Sequence, residues 1–543
     1  KMPLEYSSQK NPKDTSTEVD EFGEQYLSQE KWQPMISGNA AQKPTSTFEK
    51  IFQKLYGDLP QSERLRVFWL AGTLFFIIGG YWLLRSLKDP IVSTINGVEY
   101  IPKCKMVSLL VVFALVFLYN KLLDLFPKHQ LFYIVGIFYS VLFGLISILL
   151  AHPTFGLANT EASPYRLLGW ISYCSIESFG SICVSLFWSF VNSTMNFDGA
   201  KSAYGLIIAG AQIGSVLGPT ITVAYATKFG VAVLYGIGAF SMALMVIMMV
   251  GYVHTFGVPQ INEKGKEKEK SAGVLEGFKL FLQFAYVRGI FALSCLFMVE
   301  VTILDYTMKV LAKNSFDEQY PGDKTASSEN FAAFMGLFGQ VTNTLSFAFS
   351  LLGTSFVIRR LGLRMTLLAF PTLCMGVIVM VLFVPRLTTV FFALILLKGF
   401  SYSLNNPCKE MLYQPTSVAV KFKSKSWIDI FGGRGSKALG SLVTNAFSDS
   451  AADLVHYGGG VALLMSAFLI WVADYMGKKF NEYQDDGTVV GKDISFEEAR
   501  LYSMVSEEEG QDDSREGSPI RSTKSDPGVE MTNVEEMTKT VSL

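Results

Sequence analysis

Residues 230–270 read GVAVLYGIGAFSMALMVIMMVGYVHTFGVPQINEKGKEKEK. No Asp, Glu, Lys or Arg interrupts the stretch from Val231 to Val253. At 1.5 Å per residue, such a run crosses the ~30 Å hydrocarbon core of a bilayer as one helix. Directly after it, Glu263-Lys264-Gly265-Lys266-Glu267-Lys268-Glu269-Lys270 alternates charge, as a solvated linker does. This break falls at mid-chain. Outward from it, apolar runs of spanning length recur near 67–85, 106–125, 131–151, 167–191 and 202–225 on one side. On the other they recur near 287–311, 331–357, 365–385, 388–412, 427–448 and 456–476. The pattern predicts an all-α polytopic membrane protein of about twelve transmembrane helices in two six-helix halves, 66–254 and 286–479. A charged linker, 255–285, joins them, and tails cover 1–65 and 480–543.

Composition agrees. Half of the 543 residues are apolar and 17% are charged, where a soluble domain carries nearer a quarter. Lys plus Arg (46) balances Asp plus Glu (47), so no basic excess favours nucleic acid. The six cysteines form no CxxC pair, and the four histidines sit at edges of apolar runs, so neither a disulfide framework nor a metal centre is expected. No HExxH motif or Ser-His-Asp set is present. Gly432-Gly433-Arg434-Gly435-Ser436-Lys437 lacks the spacing of a phosphate loop, so hydrolytic chemistry has no candidate residues and no cofactor is implied.

Lysine and arginine concentrate in alternate loops, before segment 1, after segment 6, between segments 8 and 9 and after segment 10, which predicts cytosolic termini. Residues 1–65 show neither a signal-peptide core nor a transit-peptide bias, and this directs the expectation to the plasma membrane, with an organelle envelope as the alternative. The acidic, aperiodic stretch 480–543 reads as disordered.

Ionisable side chains inside apolar segments cost roughly 2.5–3.5 kcal/mol to insert, so each is a candidate for function. Glu177 lies near the centre of segment 4 among small polar residues. Lys398 sits well inside segment 10. Arg434 and Lys437, three apart, share a face of segment 11, and two cations on one face suit an anion. Asp305 and Lys309, four apart in segment 7, read equally well as an intrahelical ion pair, and Glu300 lies on another face. Arg85 and Lys88 close segment 1, where position alone favours snorkelling to the headgroups.

Several ordered motifs between about residues 50 and 478 give the chain a family resemblance. They are Leu84-Arg85-Ser86-Leu87-Lys88-Asp89-Pro90, Glu177 followed by Leu186-Phe187-Trp188-Ser189-Phe190-Val191-Asn192, and Asp198-Gly199-Ala200-Lys201-Ser202-Ala203-Tyr204. The second half adds Pro407-Cys408-Lys409-Glu410-Met411-Leu412-Tyr413, Lys425-Ser426-Trp427-Ile428-Asp429 and Gly435-Ser436-Lys437-Ala438. The sequence thereby resembles the non-mitochondrial ATP/ADP transporters of plastids, obligate intracellular bacteria and some intracellular parasites. The resemblance implies a major-facilitator-like fold and exchange of ATP for ADP, with phosphate, by alternating access. It implies substrate-binding roles for Lys88, Glu177 and Lys437, which displaces the snorkelling reading of Lys88.

Three departures stand out. Asp305 replaces the Glu of the family's E-x-x-W-K pattern, here Asp305-Tyr306-Thr307-Met308-Lys309. Ser401 replaces the second Lys of K-x-x-K-Y after Lys398, and Asn406 replaces the following acid. These keep a proton-coupled importer of mixed nucleotides or NAD open as a second reading. A membrane receptor or scaffold working through its tails is a third. The candidate substrate-binding set is Lys88, Glu177, Asp305, Lys437, Lys398 and Arg434. The expected partners are ATP, ADP, phosphate and the bilayer, with no nucleic acid.

Overall fold

The computed structural model describes residues 61–491, apart from 160, 195–196, 258–273, 353, 418–419, 421–423, 426 and 449. The expected tail 1–65 lies almost wholly outside the described residues, as do most of the linker and the tail beyond Gly491. Among the described residues the architecture is helical.

The first half comprises α1 (Gln61–Ile95), α2 (Ile101–Leu125), α3 (Lys128–Ala151), α4 (Leu167–Thr194) and the stretch Phe197–Phe256. That stretch breaks at Gly230, whose φ of 80° and ψ of 161° end one helix and begin the next. The break yields α5 (197–229) and α6 (231–256). Glycine suits the position because a Cβ is strained at positive φ. After a short helix α7 (Val274–Gln283), the second half begins with α8 (Ala285–Phe291), a π-turn (Ala292–Leu296) and α9 (Phe297–Gln319). Then follow α10 (Lys324–Leu352) and the stretch α11 (Thr354–Phe383), which breaks at Gly362, with φ 73° and ψ 166°, as the first half breaks at Gly230. Next come α12 (Leu387–Phe400) and α13 (Asn406–Met411), joined through a π-turn at Ser401–Asn405. A π-turn at Ile428–Gly432 leads into α14 (Gly433–Ala446), and α15 (Gly459–Asp485) completes the half.

Eight described stretches are long and apolar enough to cross a membrane. One of them, Leu206–Phe256, holds two crossings separated by Gly230. The remaining crossings are α10, α12 with α13, and α14 with its π-turn, which are shorter or more polar. Polar helix and π-turns are tolerated at membrane depth where they face protein or a cavity.

Two expectations need correction. Segment 1 does not close at Arg85–Lys88. Helix α1 continues through Pro90 to Ile95, with Ser93 and Thr94 hydroxyls each donating to the Pro90 carbonyl at 2.9 Å. The last helix likewise passes residue 479 and ends at Asp485, beyond which Val490 pairs with Thr416 and is 9% exposed.

Small residues let the first-half helices approach closely. Gly210, Gly214 and Gly218 recur every four positions on α5, and α1 presents Ala71, Phe75 and Gly79 to them. A Cβ on Gly218 would lie 2.2 Å from the Gly79 carbonyl oxygen. Each half has its own core. One is built around Leu70, Phe143, Phe179 and Tyr235, the other around Phe297, Phe331, Phe370 and Leu469.

A third, smaller cluster joins the halves. Val92, Ile101, Cys104 and Tyr173 from the first pack with Tyr306, Val310 and Leu454 from the second, and none is more than 6% exposed. These residues come from the end of α1, the starts of α2 and α4, the middle of α9 and, for Leu454, the π-turn Leu454–Gly458 that precedes α15. The cluster therefore seals the end of the bundle opposite the N-terminus of α1.

Candidate functional site

Beneath that seal, between the halves, lies a cavity of about 1260 Å³ of empty space counted out to its mouth. Its wall carries seven cations, Arg85, Lys88, Lys105, Lys309, Lys398, Arg434 and Lys437, against three carboxylates, Asp89, Glu177 and Asp305. All six residues of the sequence-predicted set line it. Lys105, Lys309, Asp89 and Arg85 were not in that set.

The first half supplies one cluster. Lys88, 4% exposed, points inward from α1. Its ammonium donates to the Glu177 carboxylate and to the Tyr173 hydroxyl at 3.3 Å, and stands 4.3 Å from the centre of the Tyr173 ring. A lysine at this depth cannot snorkel, because α1 runs two further turns beyond it. One turn away on α1, Arg85 donates to the Tyr81 hydroxyl at 2.6 Å and stacks over Trp82, 5.2 Å from the ring centre. Gly180, one turn after Glu177, makes room for Tyr81, since a Cβ there would lie 2.4 Å from the ring.

The second cluster centres on Asp305. Its two oxygens accept from Lys309 at 2.5 Å, Lys398 at 2.6 Å and Lys105 at 3.3 Å. Lys105 belongs to the first half and Lys398 to α12, so the intrahelical pair with Lys309 is only one part of the environment. Lys309 also meets Asp89 of α1 at 2.9 Å, with both side chains no more than 3% exposed. Glu300, 0% exposed, faces away from the cavity and accepts from the Ser466 hydroxyl at 2.9 Å.

Arg434 donates to the Ser181 hydroxyl of α4 across the gap between halves. Lys437, one turn on along α14, is exposed to the cavity and has no hydrogen bond or ion pair to protein among the described residues. Burying ammonium groups in a low-dielectric bundle is costly without a counter-charge. A wall with more cations than carboxylates therefore favours an anionic ligand.

The sequence carried weak signals for the missed residues. Lys105 precedes the apolar run that starts near 106, yet Pro102 stands in the first turn of α2, a favoured helix start, and the helix begins at Ile101. Asp89 stands beside Pro90, just past the expected close of segment 1, and the helix continues through both. Ser401 and Asn405–Asn406 bracket the π-turn after Lys398, which carries Ser401 into the cavity wall.

Comparison with known proteins bears on this arrangement. Residues 41–480 match the sequence profile of the family described as TLC ATP/ADP transporter. The ADP,ATP carrier protein 1, chloroplastic, of Arabidopsis thaliana is 26% identical, covering 84% of this chain and 80% of that protein. The ADP,ATP carrier protein 1 of Chlamydia pneumoniae is 27% identical over 80% of this chain and 96% of its own. That of Rickettsia typhi is 27% identical over 73% and 88%. Among solved structures, the nucleoside transporter NupG aligns with a TM-score of 0.53 at 13% identity, covering 78% of this chain and all of NupG. A bacterial homologue of the iron transporter ferroportin aligns at 0.55 and 11%, covering 78% of this chain and 99% of its own. At these identities the structural likeness shows a shared major-facilitator-like fold.

Proposed function

The chain belongs to the TLC ATP/ADP transporter family, and from that premise we propose that it takes up ATP in exchange for ADP, with phosphate, by alternating access. The observation that carries this reading is the cation-rich cavity between two separately cored halves, sealed at one end by contacts that cross from one half to the other. A polyphosphate leaving water needs its charge matched at every depth, and side chains from both halves line the cavity to supply this. Lysines serve as compact point charges that bind phosphate and release it again, whereas a bidentate arginine clamp holds more tightly.

In this reading Lys88 and Lys437 contact the phosphate chain, Arg434 and Lys398 flank it, and Glu177 and Asp305 hold the cations in place between substrates. Residues 66–254 and 286–479 act as the two rocking bodies. The lysine-rich loops support cytosolic termini, which puts the seal on the external side and the mouth toward the cytosol. The plasma membrane is the location we assign. The test is uptake of labelled ATP into liposomes containing the purified chain, with and without internal ADP. Stimulation by internal ADP is the expected result. Uptake that ignores internal ADP and collapses with an uncoupler would establish proton-coupled import instead, and no uptake would leave the receptor reading.

A further inference from the structure

Resting on the exchange reading, we propose that the species carried is the metal-free nucleotide polyanion, ATP and ADP without a bound divalent cation. The cavity wall's charge balance points to this. Seven cations face three carboxylates, an excess of four positive charges at full ionisation. Unprotonated ATP carries about four negative charges and ADP about three, so the free anions match the wall. A bound divalent ion would cancel two of those charges.

The carboxylates are also committed. Glu177 is held by Lys88, Asp89 by Lys309 at 2.9 Å, and Asp305 by Lys309, Lys398 and Lys105. Magnesium and calcium bind oxygen ligands, with carboxylates foremost. To recruit one here, the ion would have to displace an ammonium already in contact. It would also add two positive charges to a wall already in excess, in a medium where like charges repel strongly. A bridging metal is not needed either. Lys88 and Lys105 from one half and Lys309, Lys398 and Lys437 from the other line the cavity, so a polyphosphate held there would meet ammonium groups from both sides, the task a metal performs in sites with fewer cations.

The experiment uses the full chain in ADP-loaded liposomes and two series at subsaturating labelled ATP. In the first, free ATP is fixed while Mg2+ and Mg-ATP rise. In the second, Mg-ATP is fixed while free ATP falls tenfold. A constant rate in the first series and a roughly tenfold fall in the second are expected. Exchange-inert Cr(III)-ATP should neither accumulate nor compete, and ATP should raise the melting temperature of the purified chain in EDTA but not in excess Mg2+. A rate that follows Mg-ATP, or competition by Cr(III)-ATP as strong as by free ATP, overturns the proposal and leaves nucleotide exchange standing. Absence of nucleotide uptake in both series overturns the exchange reading and this proposal with it.

Discussion

The Asp89 carboxylate of the first half and the Lys309 ammonium of the second meet at 2.9 Å, and Lys309 at the same time holds Asp305 at 2.5 Å on its own helix. One lysine thus bridges a carboxylate from each half, close to the apolar seal formed by Val92, Cys104, Tyr173, Tyr306 and Val310. Opening that end requires the halves to part, and parting them breaks the Asp89 contact while the intrahelical one can persist.

Asp89→Asn should therefore loosen the seal without unfolding either half. Breaking a buried ion pair costs about 3–5 kcal/mol where the remaining charge is left alone. Here Lys309 keeps Asp305, so a smaller loss of about 1–3 kcal/mol is expected, as for one charged hydrogen bond. Cys104, 0% exposed within the seal, reports on it. Its alkylation by a maleimide, followed by peptide mass spectrometry, should be faster in Asp89→Asn. An unchanged rate would show that the pair does not hold this end shut.

Lys88 and Lys437 should fail differently. Lys437 has no hydrogen bond or ion pair to protein among the described residues, so Lys437→Gln should lower ATP exchange at least tenfold with little change in melting temperature. Lys88→Gln leaves the Glu177 carboxylate without its partner and should lose both exchange and stability. Adding Glu177→Gln should recover stability but not exchange. Near-normal exchange by either single variant at matched membrane expression would remove that lysine from the phosphate path.

Asp305→Glu advances the carboxylate by about 1.5 Å, one C–C bond. Lys105, at 3.3 Å the most distant of its three cations, is the contact most easily lost or exchanged. The ratio of ATP uptake to that of other nucleotides should shift while expression holds. Asp305→Asn, which removes the counter-charge shared by all three lysines, should lower exchange far more. Identical ratios for wild type and Asp305→Glu would remove the residue from nucleotide discrimination and leave it as a partner of its three lysines.

Glu300→Gln is expected to be tolerated. The side chain is buried against the Ser466 hydroxyl, outside the cavity, and an amide of the same shape still offers an oxygen at 2.9 Å. Melting temperature and exchange rate should both stay within about twofold or 1 kcal/mol of wild type, the scale of one neutral hydrogen bond. A tenfold loss of exchange would mean that a charge at Glu300 is used during the cycle.

Gly218→Val tests the packing of α1 on α5. A Cβ at Gly218 would stand 2.2 Å from a backbone oxygen, which cannot turn aside as a flexible side chain can. The helices must separate, and the loss should reach about 3 kcal/mol or more, the upper range for overpacking. Little or no monodisperse protein should be recovered in detergent. Gly144→Val is the control, because nothing lies within 4 Å of a Cβ there.

The positions of most crossings were legible because hydrocarbon favours a helix with few charges, a requirement visible in a window of about twenty residues. Where the reading failed, local signals conflicted. Arg85, Lys88, Asp89 and Pro90 together look like a helix end, yet burial against the second half keeps α1 helical through all four. A carboxylate beside proline at an apparent terminus gives no hint in the sequence that it meets a lysine from the other half, as Asp89 meets Lys309.

By itself, then, the sequence determined that the chain is an all-helical membrane bundle, with about twelve crossings expected and with cations and carboxylates inside its apolar segments, since hydropathy and helical period act locally. Only the tertiary structure decided which charges share a wall and which pair. Lys105 and Asp305 are 200 positions apart, and their 3.3 Å contact exists because two separately cored halves pack face to face. Helical periodicity fixes the face on which a side chain stands. The partner opposite is fixed by the docking of the halves, which depends on all the apolar and small residues at the joint together.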